Sequence, residues 1–188
     1  MEDPYGGRQA AASQFEASKK EAHDLTGTLT DAQLNWRPAP EKWSIGQCLF
    51  HLATTDQVLG AIDRAIANAR ARGWVSSGPF RYGWFTRWMI KSMEPPPKRR
   101  MRTFPILTPP TTPLSRDEVL RTFDASRERL LERIRAAGGL DLERAIVISP
   151  VNRLIRMPLG GYLAFLAAHD RRHLWQARSV KAAPGFGE

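Results

Sequence analysis

Hydrophobic side chains recur at spacings of three and four residues in separate stretches of the chain, which is the pattern of amphipathic α-helices. The first stretch runs from about Arg8 to Thr28. Its apolar stripe consists of Phe15, Ala22, Leu25 and Leu29. The second predicted helix begins with a capping box, in which Gln47 follows Ser44, and runs to about Arg72. Its inward face consists of Cys48, His51, Leu52, Thr55, Leu59, Ile62 and Ile66.

The second half of the chain contains two further helical patterns. A second capping box at Ser115–Glu118 opens the third predicted helix, which ends at Gly138 and Gly139. Its stripe consists of Val119, Phe123, Leu130 and Ile134. The fourth helix is predicted to begin near Leu159, after Pro158. Its inward line consists of Leu159, Tyr162, Leu166, His169 and His173.

The segments between these helices differ in length and composition. Residues 30–43 contain helix-breaking prolines and predict a loop, which Trp36 and Trp43 would anchor. Residues 145–148 are β-branched and predict a short extended segment, and the tail from Ala182 is predicted to be disordered. The connector of about residues 73–114 has an aromatic and basic first half and a proline-rich second half. A short helix is predicted in the first half, from Tyr82 to Met93.

A connector of this length lets the chain return along the molecule, so that helices two and three can run parallel. The pattern therefore predicts an all-α fold. We expect residues 1–188 to form a single domain with the connector as an insertion.

Composition limits the class of protein. With 188 residues, 42% hydrophobic and 25% charged, the chain is typical of a globular domain. The one cysteine, Cys48, excludes an internal disulfide framework and fits a reducing compartment. We find neither a signal segment nor a membrane-spanning run in the sequence, so we expect a cytoplasmic protein without a membrane partner.

The formal charge of +9 raises the possibility of nucleic-acid binding. However, the basic residues are spread along the chain and alternate with acidic residues on the predicted helices. The clearest case, which predicts a solvated face, consists of Arg127, Glu128, Arg129, Glu132 and Arg133. The only dense run consists of Lys98, Arg99, Arg100 and Arg102. Nucleic-acid binding through this run is a minor alternative.

The histidines carry the candidate chemistry. His169 and His173 are four residues apart and share a helix face that looks inward. Buried imidazoles cost desolvation unless their nitrogens are satisfied, either by a shared metal ion or by hydrogen bonds in the core. Taken alone, the pair leaves both interpretations open. His23 lies at the margin of its stripe, so we expect it to be exposed or half-buried rather than a ligand.

His51 points inward near the beginning of helix two. Taken alone, it would be interpreted as a core histidine bonded to a backbone or hydroxyl partner. If helices two and four are antiparallel, its ring can converge with those of His169 and His173. Cys48 precedes His51 by one turn and could approach the same point, although a free cysteine on an apolar face is usually a small hydrophobic residue. Three neutral imidazoles with an open coordination position describe a catalytic rather than a structural metal site. Asp56 and Asp170 are candidates to fix a histidine tautomer.

Two segments carry a resemblance to a known family. They are Trp43-Ser44-Ile45-Gly46-Gln47, which leads into His51-Leu52, and His169-Asp170-Arg171-Arg172-His173-Leu174-Trp175-Gln176. In sequence, order and separation they resemble the DinB-like (DinB/YfiT-like) metalloenzyme superfamily. The resemblance implies a four-helix bundle with a long crossover between helices two and three. It also implies a divalent metal held by His51, His169 and His173.

Members of that superfamily with an assigned activity include transferases and isomerases that use low-molecular-weight thiols such as bacillithiol or mycothiol. The chain is therefore predicted to be a metal-dependent enzyme of small molecules, either a thiol S-transferase or a hydrolase. Zinc or nickel is the expected metal, with manganese or iron as alternatives. Tyr82, Trp84 or Trp88 could line the pocket, and Arg171 or Arg172 could hold an anionic substrate; no catalytic residue is assigned.

The main alternative belongs to another class of protein. The histidines could serve a non-catalytic metal-binding or stress-response module. Exposed aromatic residues on the connector would also suit the contact surface of a homodimer.

Overall fold

The computed structural model describes residues 7–54, 56–97 and 108–187. The described chain is mostly helical, with a small two-stranded sheet. The helices are α1 Arg8–Thr26, α2 Asp31–Asn35, α3 Ile45–Ala53, α4 Asp56–Ala71, α5 Trp84–Met93, α6 Arg116–Ala136 and α7 Leu159–Lys181. The strands are β1 Ile146–Ile148 and β2 Arg156–Pro158. No helix among these residues combines the length and apolarity needed to cross a membrane.

The longer helices pack side by side around a common apolar core. Helices α1 and α3 each pack against both α6 and α7, while α4 packs against α6 and α5 packs against α7. The buried stripes predicted from the sequence face this interior, with Phe15, Phe123 and Leu130 at most 1% exposed. The contact between α3 and α7 is the one that matters for the histidines, since each of these helices carries part of the candidate site.

The second predicted helix is in fact two helices. As predicted, the Ser44 hydroxyl caps α3 by accepting from the Gln47 backbone N–H, and the Gln47 side chain accepts from the Ser44 N–H. The predicted continuation is wrong, because α3 ends at Ala53 and α4 begins at Asp56. At the break, the Thr54 hydroxyl donates to the Phe50 carbonyl and its N–H to the His51 carbonyl, bonds that compete with a continuing helix.

The predicted capping box at Ser115 does not form, because the Ser115 side chain makes no cap hydrogen bond. Instead the first N–H of α6, that of Arg116, donates to the Asp31 carboxylate at 2.9 Å. Asp31 belongs to α2, a short helix within the predicted loop, where Thr30 and Gln33 form their own capping box. A side chain distant in sequence thus replaces the local cap.

Helix α5 lies close to the start of α7 because two glycines there leave room for it. A Cβ on Gly160 would lie 1.9 Å from the Tyr82 hydroxyl oxygen, and one on Gly161 would lie 2.4 Å from Thr86 Cγ2. The short connector helix was predicted to begin at Tyr82 and begins at Trp84. The basic run at residues 98–102 lies outside the described residues.

The sheet and the C-terminal tail are both more ordered than the sequence predicted. Strand β1 lies in the segment predicted to be extended, and β2, which pairs with it antiparallel, was not predicted. The tail predicted to be disordered forms turns through Gly187. Phe186 packs edge-on against Trp36, with ring centroids 5.6 Å apart, and this aromatic contact holds the tail on the helices.

Candidate metal centre

Three histidines from two packed helices meet at one point. His51 lies in the last turn of α3, and His169 and His173 lie one turn apart in α7. The Nε2 atoms of His51 and His169 are 3.3 Å apart. One nitrogen from each of the three rings lies within 4.8 Å of the others. The three histidines predicted from the sequence are therefore brought together.

The spacing between two of the three nitrogens fits a tetrahedral metal ion. Imidazole nitrogens bind zinc at about 2.0–2.1 Å, which places two such ligands about 3.3–3.4 Å apart. The separation of 3.3 Å between His51 and His169 matches that value. Three nitrogen donors leave at least one coordination position for another ligand, so these residues could hold a metal ion that remains open to a substrate.

Neighbouring side chains fix the orientation of the rings. The Nδ1 atom of His173 lies 3.1 Å from Gln176 Oε1, an acceptor that favours the proton on Nδ1 and leaves Nε2 with its lone pair. Trp43 stacks on His173 with a ring-centroid distance of 5.6 Å and an angle of 20°, and its ring lies 5.1 Å from that of His51. The indole thus limits rotation of two of the three imidazoles.

The surroundings keep two of the rings neutral. Burial lowers the pKa of His169 well below its usual range, and the neighbouring His173, His51 and Arg127 act in the same direction. Burial likewise lowers the pKa of His173 to about 3, with His51 and Arg172 adding to the effect. A histidine must be neutral to bind a metal, so these side chains can serve as ligands at neutral pH.

A buried ion pair lies directly behind the histidines. Arg127 of α6 and Asp170 of α7 are 1% and 2% exposed, and Arg127 Nη1 lies 2.5 Å and 2.6 Å from the two carboxylate oxygens. Burial raises the pKa of the Asp170 carboxyl, and the charge and hydrogen bond of Arg127 oppose that effect. Asp170 was predicted to fix a histidine tautomer, but its carboxylate binds Arg127, and Gln176 takes the place predicted for it. The side chain of Asp56, the other candidate, lies outside the described residues.

The remaining cysteine and histidine lie away from the site. Cys48 is fully buried in an apolar cluster with Leu34 and Ile45, where burial raises the pKa of its thiol. It therefore packs as a small hydrophobic residue. His23 is exposed on α1, with Nε2 2.8 Å from the Asp124 carboxylate, as expected for a histidine at the margin of its stripe.

The predicted substrate contacts are only partly placed near the histidines. Tyr82 packs against Gly160, about 13 Å along α7 from His169, so it does not line the site. Trp84 and Trp88 are 79% and 57% exposed, which does not fit the walls of an enclosed pocket. Arg171 is bound to Glu94 and Gln14.

Arg172 lies closer to the candidate site. It is half-buried, its positive charge lowers the pKa of both His169 and His173, and its Nη1 donates to the Ser92 carbonyl. The roles of Gln176 and Arg127 were not predicted from the sequence. Gln176 follows His173 by three residues on one helix, a spacing that brings side chains together. Arg127 was predicted to lie on a solvated face, and this prediction is wrong, because its side chain is 1% exposed. Its partners Leu52 and Asp170 lie 75 and 43 residues away in the sequence, so no local pattern indicated its burial.

Comparison with known proteins identifies the family of the chain. The chain is 27% identical over 173 residues to an uncharacterized protein, YuaE, of Bacillus subtilis (strain 168), and the match covers 88% of this chain and 93% of that protein. No solved structure matches the chain. The family model of the DinB superfamily matches residues 14–177, a span that includes all three converging histidines. The chain therefore belongs to the DinB superfamily.

Proposed function

We propose that this protein is a divalent-metal-dependent enzyme that acts on small molecules, with His51, His169 and His173 as the metal ligands. The observation that carries the proposal is the convergence of three ring nitrogens within 4.8 Å. Neutral, oriented imidazoles are the form that a divalent metal requires. Zinc or nickel suits an all-nitrogen set, and manganese or iron are the alternatives.

The proposal includes the architecture. Helices α1, α3 with α4, α6 and α7 would form a four-helix bundle, with residues 73–114 as the crossover, in a single domain of residues 1–188. The packing of α1 and α3 against both α6 and α7 supports this description. We also propose a cytoplasmic location, which the single buried thiol of Cys48 suits.

The proposed reaction is transfer of a low-molecular-weight thiol to an electrophile, with hydrolysis as the alternative. A bound divalent metal would supply Lewis-acid chemistry that lowers the pKa of a thiol or water held beside it. Gln176 and Trp43 hold the imidazole rings in place for this task. The guanidinium of Arg172, next to His169 and His173, would attract an anionic group of the substrate.

Metal content tests the ligand set directly. We expect about one divalent metal per chain in the purified protein, and loss of that metal in His51→Ala, His169→Ala and His173→Ala. Elemental analysis of folded protein, checked by circular dichroism, gives the measurement. His23→Ala is the matched control, because this exposed histidine pairs with Asp124 away from the site. Metal retained by all three site variants would refute the proposal.

Activity is tested separately on the metal-loaded protein. Bacillithiol or mycothiol is mixed with an electrophile such as monobromobimane, and the thioether product is followed by mass spectrometry. The thiolate displaces bromide slowly without a catalyst, so the rate without protein is subtracted. We expect the metal-loaded protein to raise the rate of thioether formation, and this increase to be lost without metal and in His169→Ala. Metal binding without thiol transfer or hydrolysis would instead support the non-catalytic metal-binding module.

A further inference from the structure

A single buried guanidinium joins the two elements that carry the histidines. Arg127 belongs to α6, which carries none of the three, and its side chain is almost fully enclosed. Its Nη1 donates to the Asp170 carboxylate of α7, and its Nη2 donates to the Leu52 carbonyl of α3 at 2.5 Å and to Ser126 Oγ at 2.9 Å. One planar group thus spans α3 and α7.

Both partners of this guanidinium are chain neighbours of candidate ligands. Leu52 directly follows His51, and Asp170 directly follows His169. The nitrogens of a guanidinium are held in one rigid plane, so two hydrogen bonds made by it fix the relative position of their acceptors. The position of Arg127 therefore constrains how far apart His51 and His169 can lie.

The break between α3 and α4 makes the contact with Leu52 available. In a continuous helix the Leu52 carbonyl would accept from the N–H of residue 56. Because α3 ends at Ala53, this carbonyl is one of the terminal groups without a partner in its own helix. Arg127 takes the vacant position, and the interruption that the sequence did not predict is thereby linked to the candidate site.

Stability alone does not account for this buried charge. A buried ion pair often adds little to folding, and well-packed apolar residues of similar volume can replace it without loss. The Nε atom of Arg127 is buried without a hydrogen-bond partner among the described residues, which is a further cost. The rings of Phe123 and Phe15, with centroids 4.9 Å and 5.9 Å from its Cζ, hold the side chain in place. We therefore expect the buried Arg127 to fix the positions of its partners more than to stabilise the fold.

We propose that Arg127 is a positioning residue that holds His51 of α3 and the His169–His173 pair of α7 at the separation that a metal ion requires. The inference rests on the proposed metal function. Arg127 lies on a helix that contributes no ligand, and it acts through Leu52 and Asp170 rather than by contact with the metal.

The test compares metal affinity between variants of α6. Arg127→Met removes both hydrogen bonds, and Arg127→Lys keeps a cation that can reach only one of the two acceptors. The dissociation constant of Co²⁺ is measured by competition with a chromophoric chelator, and its visible absorption bands report the coordination geometry. We expect the Arg127→Met protein to bind about 10- to 100-fold more weakly than wild type. Arg127→Lys should lie between the two, and the bands of both variants should shift.

The control is Leu130→Ala, a substitution one turn further along α6 at a side chain that is 1% exposed in the core. It destabilises the fold by leaving a cavity but removes no hydrogen bond to α3 or to Asp170. Its affinity for Co²⁺ and its spectrum should match wild type under conditions where the protein is folded. If Arg127→Met does not fold, the Co²⁺ affinity and spectrum of Arg127→Lys are compared with those of Leu130→Ala to test the positioning role.

Each outcome has a distinct meaning. A wild-type protein that binds no Co²⁺ refutes the proposed function itself. If wild type binds and the Arg127 variants match it in affinity and spectrum, the positioning role is wrong. Equal weakening in the Arg127 variants and in Leu130→Ala also overturns it, because the effect would then follow from general loss of stability. Weakening confined to the Arg127 variants supports the inference.

Discussion

At the scale of single residues, His173 has a hydrogen bond on one ring nitrogen and an indole against its face. Gln176 holds Nδ1, and Trp43 stacks on the ring at 20°. Together they leave Nε2 as the nitrogen free to bind a ligand in the centre of the site. The three imidazoles are therefore arranged before any metal arrives, which reduces the entropy lost when one binds.

The lowered pKa values of the histidines predict how the metal-free protein responds to acid. In the unfolded chain a histidine takes up a proton near pH 6.5. In the folded protein His173 remains neutral until about pH 3, and the pKa of His169 is also well below its usual range. Between these pH values the unfolded state binds more protons than the folded state. The free energy of unfolding therefore falls as the pH decreases from about 6.5 toward 3, by up to about 1.4 kcal/mol per pH unit for each histidine.

Urea unfolding of the metal-free protein at pH 7.5, 6.5 and 5.5 measures this dependence. His173→Gln removes one of the responsible groups, so its free energy of unfolding should fall less steeply over that range. His23→Gln, at the exposed histidine, serves as the comparison. A His173→Gln protein with the same slope as wild type would show that this histidine is not the buried neutral group described above.

The residues of the site differ in how far the sequence could predict them. His51, His169 and His173 could be placed because helical spacing sets which face each occupies, and the faces point inward. Arg127 could not, since its role depends on partners that only the packing of α3 and α7 on α6 brings near. Local periodicity thus predicted the candidate ligands but not the group that we propose holds them in position.

At the scale of elements, the sequence predicted where helices α1, α3, α6 and α7 begin more reliably than where helices are interrupted. The capping signal at Ser44 is local, and it formed as expected. The inward face of helix two continues past residue 54 with unchanged periodicity, so the pattern gave no sign of the break at Thr54. The cap of α6 failed for the opposite reason, because Asp31, distant in sequence, supplies the acceptor.

Packing of Tyr82, which lies two residues before α5, against α7 gives a prediction at this scale. Gly160→Ala should destabilise the protein by about 1–3 kcal/mol, because the new Cβ meets the buried Tyr82 ring. That Cβ would lie 1.9 Å from the hydroxyl oxygen and 2.9 Å from Cζ of Tyr82. Alanine is a better helix former than glycine by about 1 kcal/mol, so a helix without this contact would gain stability instead. Thermal and urea unfolding measure the difference.

Gly83→Ala is the matched control for this substitution. Gly83 is the N-cap of α5, with φ of −61°, and no described residue other than its chain neighbours has an atom within 4 Å of the Cβ position. Its stability should stay within about 0.5 kcal/mol of wild type. A Gly160→Ala protein as stable as Gly83→Ala would mean that Tyr82 does not lie as close to α7 as described.

At the scale of the whole molecule, α5 presents an aromatic surface formed by Trp84, Phe85 and Trp88. Their exposed fractions are 79%, 38% and 57%, and the rings are in contact, with centroids about 6 Å apart. Contiguous exposed apolar surface of this kind often marks an interface. We predict that the protein is a homodimer joined through this aromatic surface.

The charge beside the aromatic surface makes the prediction sharper. Lys91 is exposed on the same helix, one turn beyond Trp88. In a twofold dimer this positive charge would approach its copy, and salt would screen the repulsion. The dimer should therefore become tighter as the ionic strength rises. Analytical ultracentrifugation at 50 and 500 mM salt should give a mass near twice the chain mass of 21.2 kDa, with a lower dissociation constant at high salt.

Two variants test whether dimerisation depends on the aromatic surface in particular or on exposed hydrophobic side chains in general. Trp84→Ser/Trp88→Ser should be monomeric while keeping the metal content of wild type, since neither indole lies against the histidines. Leu154→Ser replaces a side chain that is 89% exposed in the turn between β1 and β2, and it should leave the dimer intact. A wild-type chain that stays monomeric at both salt concentrations refutes the prediction. If Leu154→Ser dissociates the dimer and Trp84→Ser/Trp88→Ser does not, the interface lies at the turn between β1 and β2 instead of at the aromatic surface.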